Sequence, residues 1–239
     1  MAAILRTHDI SKNFRGLVAN QDISFSLEAG EIRSVIGPNG AGKTTFLSLI
    51  SGHLAPSAGT IVYQDRDITR LGVIARARLG IVRKFQTPTL FDNLSTYQNV
   101  EIAVLGGGCP RRARHRRILE VLEQVRLADQ RHKPAYALSH GQRQWLEVGL
   151  LIAVQAKLLL LDEPTAGMTA EETAATAKLV RDLAEQSRLA AIIIEHDIHF
   201  VRDLGAPITV LHLGRVLMEG DFDSVAANRE VREVYLGGA

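Results

Sequence analysis

Residues 37–44 read Gly-Pro-Asn-Gly-Ala-Gly-Lys-Thr, which fits the spacing G-x-x-x-x-G-K-[ST]. Glycines at these intervals let successive backbone N–H groups turn toward a polyphosphate, and a helix opening at Lys43 adds a partial positive charge. Gly37, Pro38, Asn39, Gly40, Ala41, Gly42, Lys43, Thr44 and Thr45 are therefore candidate phosphate-binding residues. Lys43 is expected to reach the β- and γ-phosphates, and the Thr44 hydroxyl to ligate Mg²⁺. A second group lies at Leu158-Leu-Leu-Leu-Asp162-Glu163, an apolar run ending in two carboxylates. At the end of a buried strand, Asp162 can hold Mg²⁺ through a water and Glu163 can polarise an attacking water as a general base. Alone, the first motif reads as a glycine-rich turn and the second as a helix cap; together they point to nucleoside triphosphate hydrolysis. No Asn-Lys-x-Asp base-reading motif is present, which favours adenine over guanine.

These residues need elements to hold them. The first 36 residues carry three β-like stretches, ILRTHDI, VANQDISFSL and EIRSVI, separated by turn signals at Phe14-Arg15-Gly16 and Glu28-Ala29-Gly30. Residues 43–51 read as a helix, GTIVYQ as a short strand, and 79–85 as a further apolar stretch. From 96 to 156 the periodicity is almost wholly helical, with Ile118, Leu119, Leu122 and Val125 on one stripe. Near-continuous apolar runs return at 158–161, 190–194 and 208–213, the pattern of a parallel sheet covered on both faces. HLGRV, residues 212–216, reads as a hairpin turn. The pattern predicts one α/β domain over 1–239, with a nucleotide-binding core from 1–86 and 157–239 interrupted by a helical lobe at 87–156.

Composition narrows the class. At 239 residues the chain can bury a full core, and 28 basic against 26 acidic residues leave no excess charge for coating nucleic acid. A single cysteine, Cys109, excludes an internal disulfide and suits a reducing compartment. The N-terminal residues lack a secretory pattern, and no apolar run approaches the roughly 20 residues of a membrane helix. Any membrane role is therefore expected to come through a partner.

Four further pieces follow in order, and with the phosphate loop they resemble the ABC ATPase family over nearly the whole chain. Gln86 in VRKFQTPTLF matches the Q-loop glutamine, LSHGQ (138–142) the signature motif, Ala166-Gly-Met-Thr169 the D-loop, and His196 in IIIEHD the switch histidine. Phe14 stands at the aromatic position that stacks on adenine. The resemblance implies an α/β P-loop NTPase core with an N-terminal antiparallel β region and an inserted helical signature lobe. It also implies that Gln86 reaches Mg²⁺ and the attacking water, and that His196 contacts the γ-phosphate. His196 and His199 share helical metal-ligand spacing, yet one pair without a third ligand is a weak zinc signal.

Ser139-His-Gly-Gln142 is itself a capping box, with Ser139 as N-cap and Gln142 at the third helical position. A capped helix N-terminus is also an anion site. In the family, the signature helix of one chain closes on the γ-phosphate held by another, so Ser139, Gly141 and Gln142 are expected to meet the ATP of a second ATPase chain. His140 departs from the commonest glycine and Thr169 from the usual aspartate, where Thr169-Ala-Glu-Glu172 forms another capping box. With KFQTPTLFDNLSTYQNVE, AGMTAEE and VREVYLG, these motifs resemble the ATP-binding subunit of urea-type importers, relatives of the branched-chain amino acid importers.

The resemblance implies a motor subunit at the cytoplasmic face of the cell membrane, using ATP and Mg²⁺, for urea or short amides. The alternatives are a branched-chain amino acid importer ATPase or a soluble ABC ATPase outside transport. Implied partners are a second ABC ATPase, with a heterodimer favoured, a permease pair met near residues 87–91, and indirectly an extracytoplasmic solute-binding protein. No nucleic acid partner is expected. The run Arg111–Arg117 reads as a solvated loop and first helical turn, or else as a contact for acidic headgroups. The ending VYLGGA leads to the expectation that no C-terminal regulatory domain follows.

Overall fold

The computed structural model describes residues 3–84 and 90–236. Two long strands, β1 (Ala3–Phe14) and β2 (Leu17–Glu28), make a hairpin, followed by β3 (Ile32–Ile36), α1 (Lys43–Ser51), β4 (Ala58–Tyr63), β5 (Arg66–Asp67), α2 (Val73–Arg78) and β6 (Ile81–Lys84). Three helices come next: α3 (Thr96–Gly106), α4 (Arg114–Gln124) and α5 (His140–Ala153). The chain then runs through β7 (Leu158–Asp162), α6 (Ala170–Ser187), β8 (Ala190–Ile194), α7 (Ile198–Leu204), β9 (Ile208–His212), β10 (Arg215–Gly220), α8 (Phe222–Ala227) and α9 (Arg229–Leu236).

The strands form two sheets. The first is antiparallel, in the order β2-β1-β4-β5, and the second runs β10-β9-β3-β8-β7-β6. In the second sheet β9, β3, β8, β7 and β6 are parallel, and only the β9–β10 hairpin closes it antiparallel at Leu213-Gly214. Because β3, β8 and β7 are parallel neighbours, their carboxyl ends share one edge: Val35 stands opposite Ile194, and Ile194 opposite Asp162. The phosphate loop, Asp162-Glu163 and Glu195-His196 all leave the sheet there, where open α/β sheets bind ligands.

Burial follows the strand period of two. Leu159, Leu161, Ala191 and Ile193 join the core shared with α6 and the helices α3–α5, whereas Leu158, Leu160, Ala190, Ile192 and Ile194 join α1 and the antiparallel sheet. A one-residue slip of β7 would exchange the two sets, so the register carrying Asp162 to the edge is strongly specified.

The structure refines the sequence reading of the helical region. The helical stretch 96–156 is broken between α3 and α4 by Gly107, Gly108, Cys109 and Pro110, and again before α5 by short 3-10 turns around Pro134. Proline and glycine do not continue a helix, so periodicity carried across them joined separate elements. On α4 the fully buried residues are Ile118, Val121 and Leu122, followed by Val125, while Leu119 is only half-buried. The short α2 had no periodic signal, and what fixes it is Arg76. Its buried guanidinium donates to the carbonyls of Leu71, Leu49, Ile50, Ile68 and Thr69 at 2.6–3.1 Å, which caps the C-terminal turn of the helix beginning at Lys43. Desolvation pulls its pKa down to about 10, so it stays a cation in neutral solution.

Candidate functional site

The loop from β3 to α1 places Lys43 at the first helical position, with Gly42 left-handed at φ 97° as N-cap. A Cβ at Gly42 would lie 2.3 Å from the Ala19 carbonyl oxygen, so glycine is required by both its φ and the close approach of β2. The Asn20 amide donates to the Gly42 carbonyl at 3.1 Å, tying the loop to the same strand. Asn39, Gly40, Ala41, Gly42, Lys43, Thr44 and Thr45 line a cavity of about 260 Å³ together with Leu17, Val18, Ala19, Glu163 and His196. A side-chain carbon at Gly40 would meet nothing within 4 Å, so the loop opens onto free space.

Lys43 is buried, and among the described residues its ammonium donates to the loop's own carbonyls, Gly37 at 2.6 Å and Pro38 at 3.0 Å. It has no carboxylate within ion-pair distance among the described residues. Desolvation lowers its pKa, opposed by the more distant charges of Glu163 and Asp162. A buried cation bonded to loop carbonyls and without a counter-ion among the described residues, at the first turn of a helix, fits a polyphosphate anion. Thr44 and Asp162 provide oxygen donors suited to Mg²⁺, the hard cation that such a phosphate carries.

Asp162 ends β7 buried, and its Oδ2 accepts from Arg83 at 2.8 Å. Arg83 also donates to Ser48 of α1 at 2.8 Å, so one guanidinium joins β6, β7 and the phosphate-loop helix. Glu163 then turns left-handed, φ 50°, a conformation that costs a non-glycine residue roughly 1–3 kcal/mol and recurs at functional sites. The turn brings its carboxylate to the cavity, where Oε1 lies 2.9 Å from His196 Nε2. His196 therefore carries its proton on Nε2 when it bonds Glu163.

The sequence reading missed what holds His196 there. Glu195 is buried, with Oε1 accepting from the Thr165 N–H at 2.9 Å and the Thr165 hydroxyl at 2.6 Å. Its Oε2 accepts from the His196 N–H at 3.0 Å. One carboxylate thus pins the segment after β7 to the segment after β8. The only sequence signal was an acidic residue directly following the buried run AIII.

Other expected site residues stand elsewhere. Phe14 is 41% exposed at the end of β1, paired with Leu17 across the hairpin and under the Lys12 ammonium; Leu17 and Val18, not Phe14, line the cavity. Gln86 lies outside the described residues, as do 87–89 of the expected permease contact, whereas Phe91 is exposed. Ser139 caps α5 as expected, its hydroxyl accepting from the Gln142 N–H while the Gln142 side chain accepts from the Ser139 N–H. None of Ser139, Gly141 and Gln142 lines the phosphate-loop cavity. His140 lies 2.9 Å from the Ala166 carbonyl and so touches the D-loop segment rather than any reacting group. No helix among the described residues is long and apolar enough to cross a membrane.

Comparison with known proteins fits this geometry. The family model described as ABC transporter matches residues 20–166, more than half of the chain. The high-affinity branched-chain amino acid transport ATP-binding protein LivG of Salmonella typhimurium is 32% identical over 99% of this chain and 98% of its own length. The lipopolysaccharide export system ATP-binding protein LptB of Acidithiobacillus ferridurans is 31% identical over 99% and 98%. Among solved structures, the ADP conformation of MJ1267, an ATP-binding cassette of an ABC transporter, superposes with TM-score 0.89 at 27% identity, covering 99% of this chain and all of that one. The chain belongs to the ABC transporter family as an ATP-binding subunit, an ATPase that uses ATP with Mg²⁺ and couples its hydrolysis to transport.

Proposed function

We propose that the chain is the motor of an importer in the branched-chain amino acid class, sitting peripherally on the cytoplasmic face of the membrane beneath a permease pair. The full-length similarity to LivG supports this substrate class better than the urea reading, which rests on His140 and a few neighbouring motif residues. An extracytoplasmic solute-binding protein would deliver the substrate.

The observation that carries the catalytic reading is the separation of two half-sites. Lys43, Thr44, Glu163 and His196 face one cavity, and the capped α5 N-terminus is not part of it. A second ATPase chain completes the site by presenting its Ser139, Gly141 and Gln142 to the γ-phosphate, and the importer reading favours a related but distinct second chain. The loop 37–45 holds the phosphates, and Phe14 at the end of the hairpin stacks on adenine. Thr44, Asp162 and Gln86 hold Mg²⁺, which offsets charge on the phosphate oxygens. Glu163 accepts the proton of the attacking water, and His196, released from Glu163, bonds the γ-phosphate.

The test is Glu163→Gln. Turnover is expected to fall at least about a hundredfold, with ATP binding retained and an ATP-dependent pair accumulating. Undiminished hydrolysis would remove Glu163 from the base role. For the substrate, the chain copurified with its membrane proteins and reconstituted in vesicles should drive uptake of leucine or valine; uptake of urea alone would reverse the assignment.

A further inference from the structure

The N-terminus of α5 already holds an anion. Glu172 lies at the third position of α6, 33 residues beyond Ser139 in sequence. Its Oε1 accepts from the Ser139 hydroxyl at 2.9 Å and from the Gly141 N–H at 3.2 Å. The same carboxylate, through Oε2, accepts from the Thr169 N–H at 3.3 Å and completes the capping box of its own helix. Two helix N-termini thus share one side chain. A Cβ at Gly141, the fourth signature residue, would sit 2.8 Å from the Glu172 carboxyl carbon and oxygen, so any side chain there would force the carboxylate to shift. The segment is held in place on both sides: His140 lies 2.9 Å from the Ala166 carbonyl, and the Trp145 indole N–H donates to Thr176 at 2.9 Å.

We propose that Glu172 is a built-in stand-in for the γ-phosphate, occupying the Ser139 and Gly141 donors of the separated chain so that a partner's ATP must displace it to close the pair. This deepens the sandwich reading above and rests on it. Both anions demand the same hydroxyl and N–H, and neither tolerates the other's negative charge at hydrogen-bond range. Displacement is feasible because Glu172 keeps a partner afterwards, the Thr169 N–H of its own cap. ADP has no γ-phosphate, so after hydrolysis and phosphate release Glu172 reclaims the donors and favours separation. The carboxylate is fully ionised in neutral solution, since the bonds from Ser139, Thr169 and Gly141 and the nearby His140 lower its pKa.

The test uses the Glu163→Gln chain, in which ATP is not consumed, with and without Glu172→Gln. Two copies of this chain contain two complete sites, so self-association titrated with ATP and Mg²⁺ can be followed by analytical sedimentation. Glutamine has one side-chain acceptor: with its oxygen on the Thr169 N–H of the capping box, its amide NH₂ faces Ser139 and Gly141, so the hold on those donors is weakened and half-maximal pairing should need about three- to tenfold less ATP. Glu172→Asp, too short to reach Ser139 from the same helix, should shift the titration in the same direction. ATP affinity of the unpaired chain should stay as in the Glu163→Gln parent, while its thermal midpoint falls slightly because bonds at two helix N-termini are weakened. An unchanged or raised ATP requirement in both variants overturns the proposal. If the Glu163→Gln parent fails to pair with ATP both with itself and with the ATPase chain that copurifies with it, the sandwich reading falls, and this inference with it.

Discussion

Glu195 offers the sharpest perturbation of the site, because it is buried, multiply bonded and apart from the reacting atoms. In Glu195→Gln, one side-chain oxygen can still accept from the Thr165 N–H and hydroxyl, now 2.9 and 2.6 Å from Glu195 Oε1. The new amide NH₂ then faces the His196 N–H, which donates to Oε2 at 3.0 Å in the parent. Two donors meet, and the His196 N–H is left unsatisfied. An orphaned donor that is only part-buried costs about 1–2 kcal/mol, and loss of charge assistance in the two remaining bonds adds roughly 1 kcal/mol, giving about 2–3 kcal/mol. Urea unfolding measures this as a lower midpoint at unchanged slope. Because the lost bond is the one that positions the His196 backbone, turnover should fall about tenfold or more while ATP binding to the unpaired chain changes little. A stability loss under about 1 kcal/mol together with parent turnover would refute the claim that this carboxylate organises the site.

Other substitutions test separate links in the same structure. Arg76→Met keeps the stem but removes the donors: Leu49 and Ile68 carbonyls retain the Gly52 and Leu71 N–H groups, whereas those of Ile50, Thr69 and Leu71 lose theirs. Urea unfolding should show a loss of about 3–5 kcal/mol. Gly42→Ala drives a carbon into the Ala19 carbonyl at 2.3 Å and strains a φ of 97°, so ATP affinity by equilibrium binding should drop at least about thirtyfold, or 2 kcal/mol. His140→Gly removes the contact with Ala166, a single exposed hydrogen bond worth about 0.5–1.5 kcal/mol, and ATPase assays should show turnover within about tenfold of the parent. A total loss there would make His140 a catalytic group.

Local chemistry made much of this protein readable in one dimension. Lys43–Ser51 and Ala190–Ile194 appear as elements at the residues their patterns predict, because a glycine cap opens the first and an unbroken apolar run ending in three isoleucines makes the second. The two capping boxes at Ser139 and Thr169 form as their four-residue spacing requires. Strand pairing adds what the aromatic Phe14 at the turn could not announce: Leu17 and Val18, across the hairpin, line the phosphate-loop cavity. The helical reading of 96–156 is met by α3, α4 and α5, but apolar period survives the breaks that glycine and proline impose on the backbone and so did not divide the three.

The sequence by itself determined the phosphate loop, the strand-end carboxylates and the capped signature helix, since each is a contiguous motif whose geometry comes from neighbours a few residues apart. Only the tertiary structure decided what touches them. Arg83 meets Asp162 across 79 positions, Glu195 meets Thr165 across 30, and Glu172 reaches Ser139 across 33. Each of these partners is a single charged residue that looks like solvated surface until folding removes most of the water around Arg83 and Glu195 and part of that around Glu172. In the sheet that removal depends on register, which alternates faces every residue, and at the signature helix it depends on how α5 lies against α6. Neither quantity is written in any short stretch of the chain.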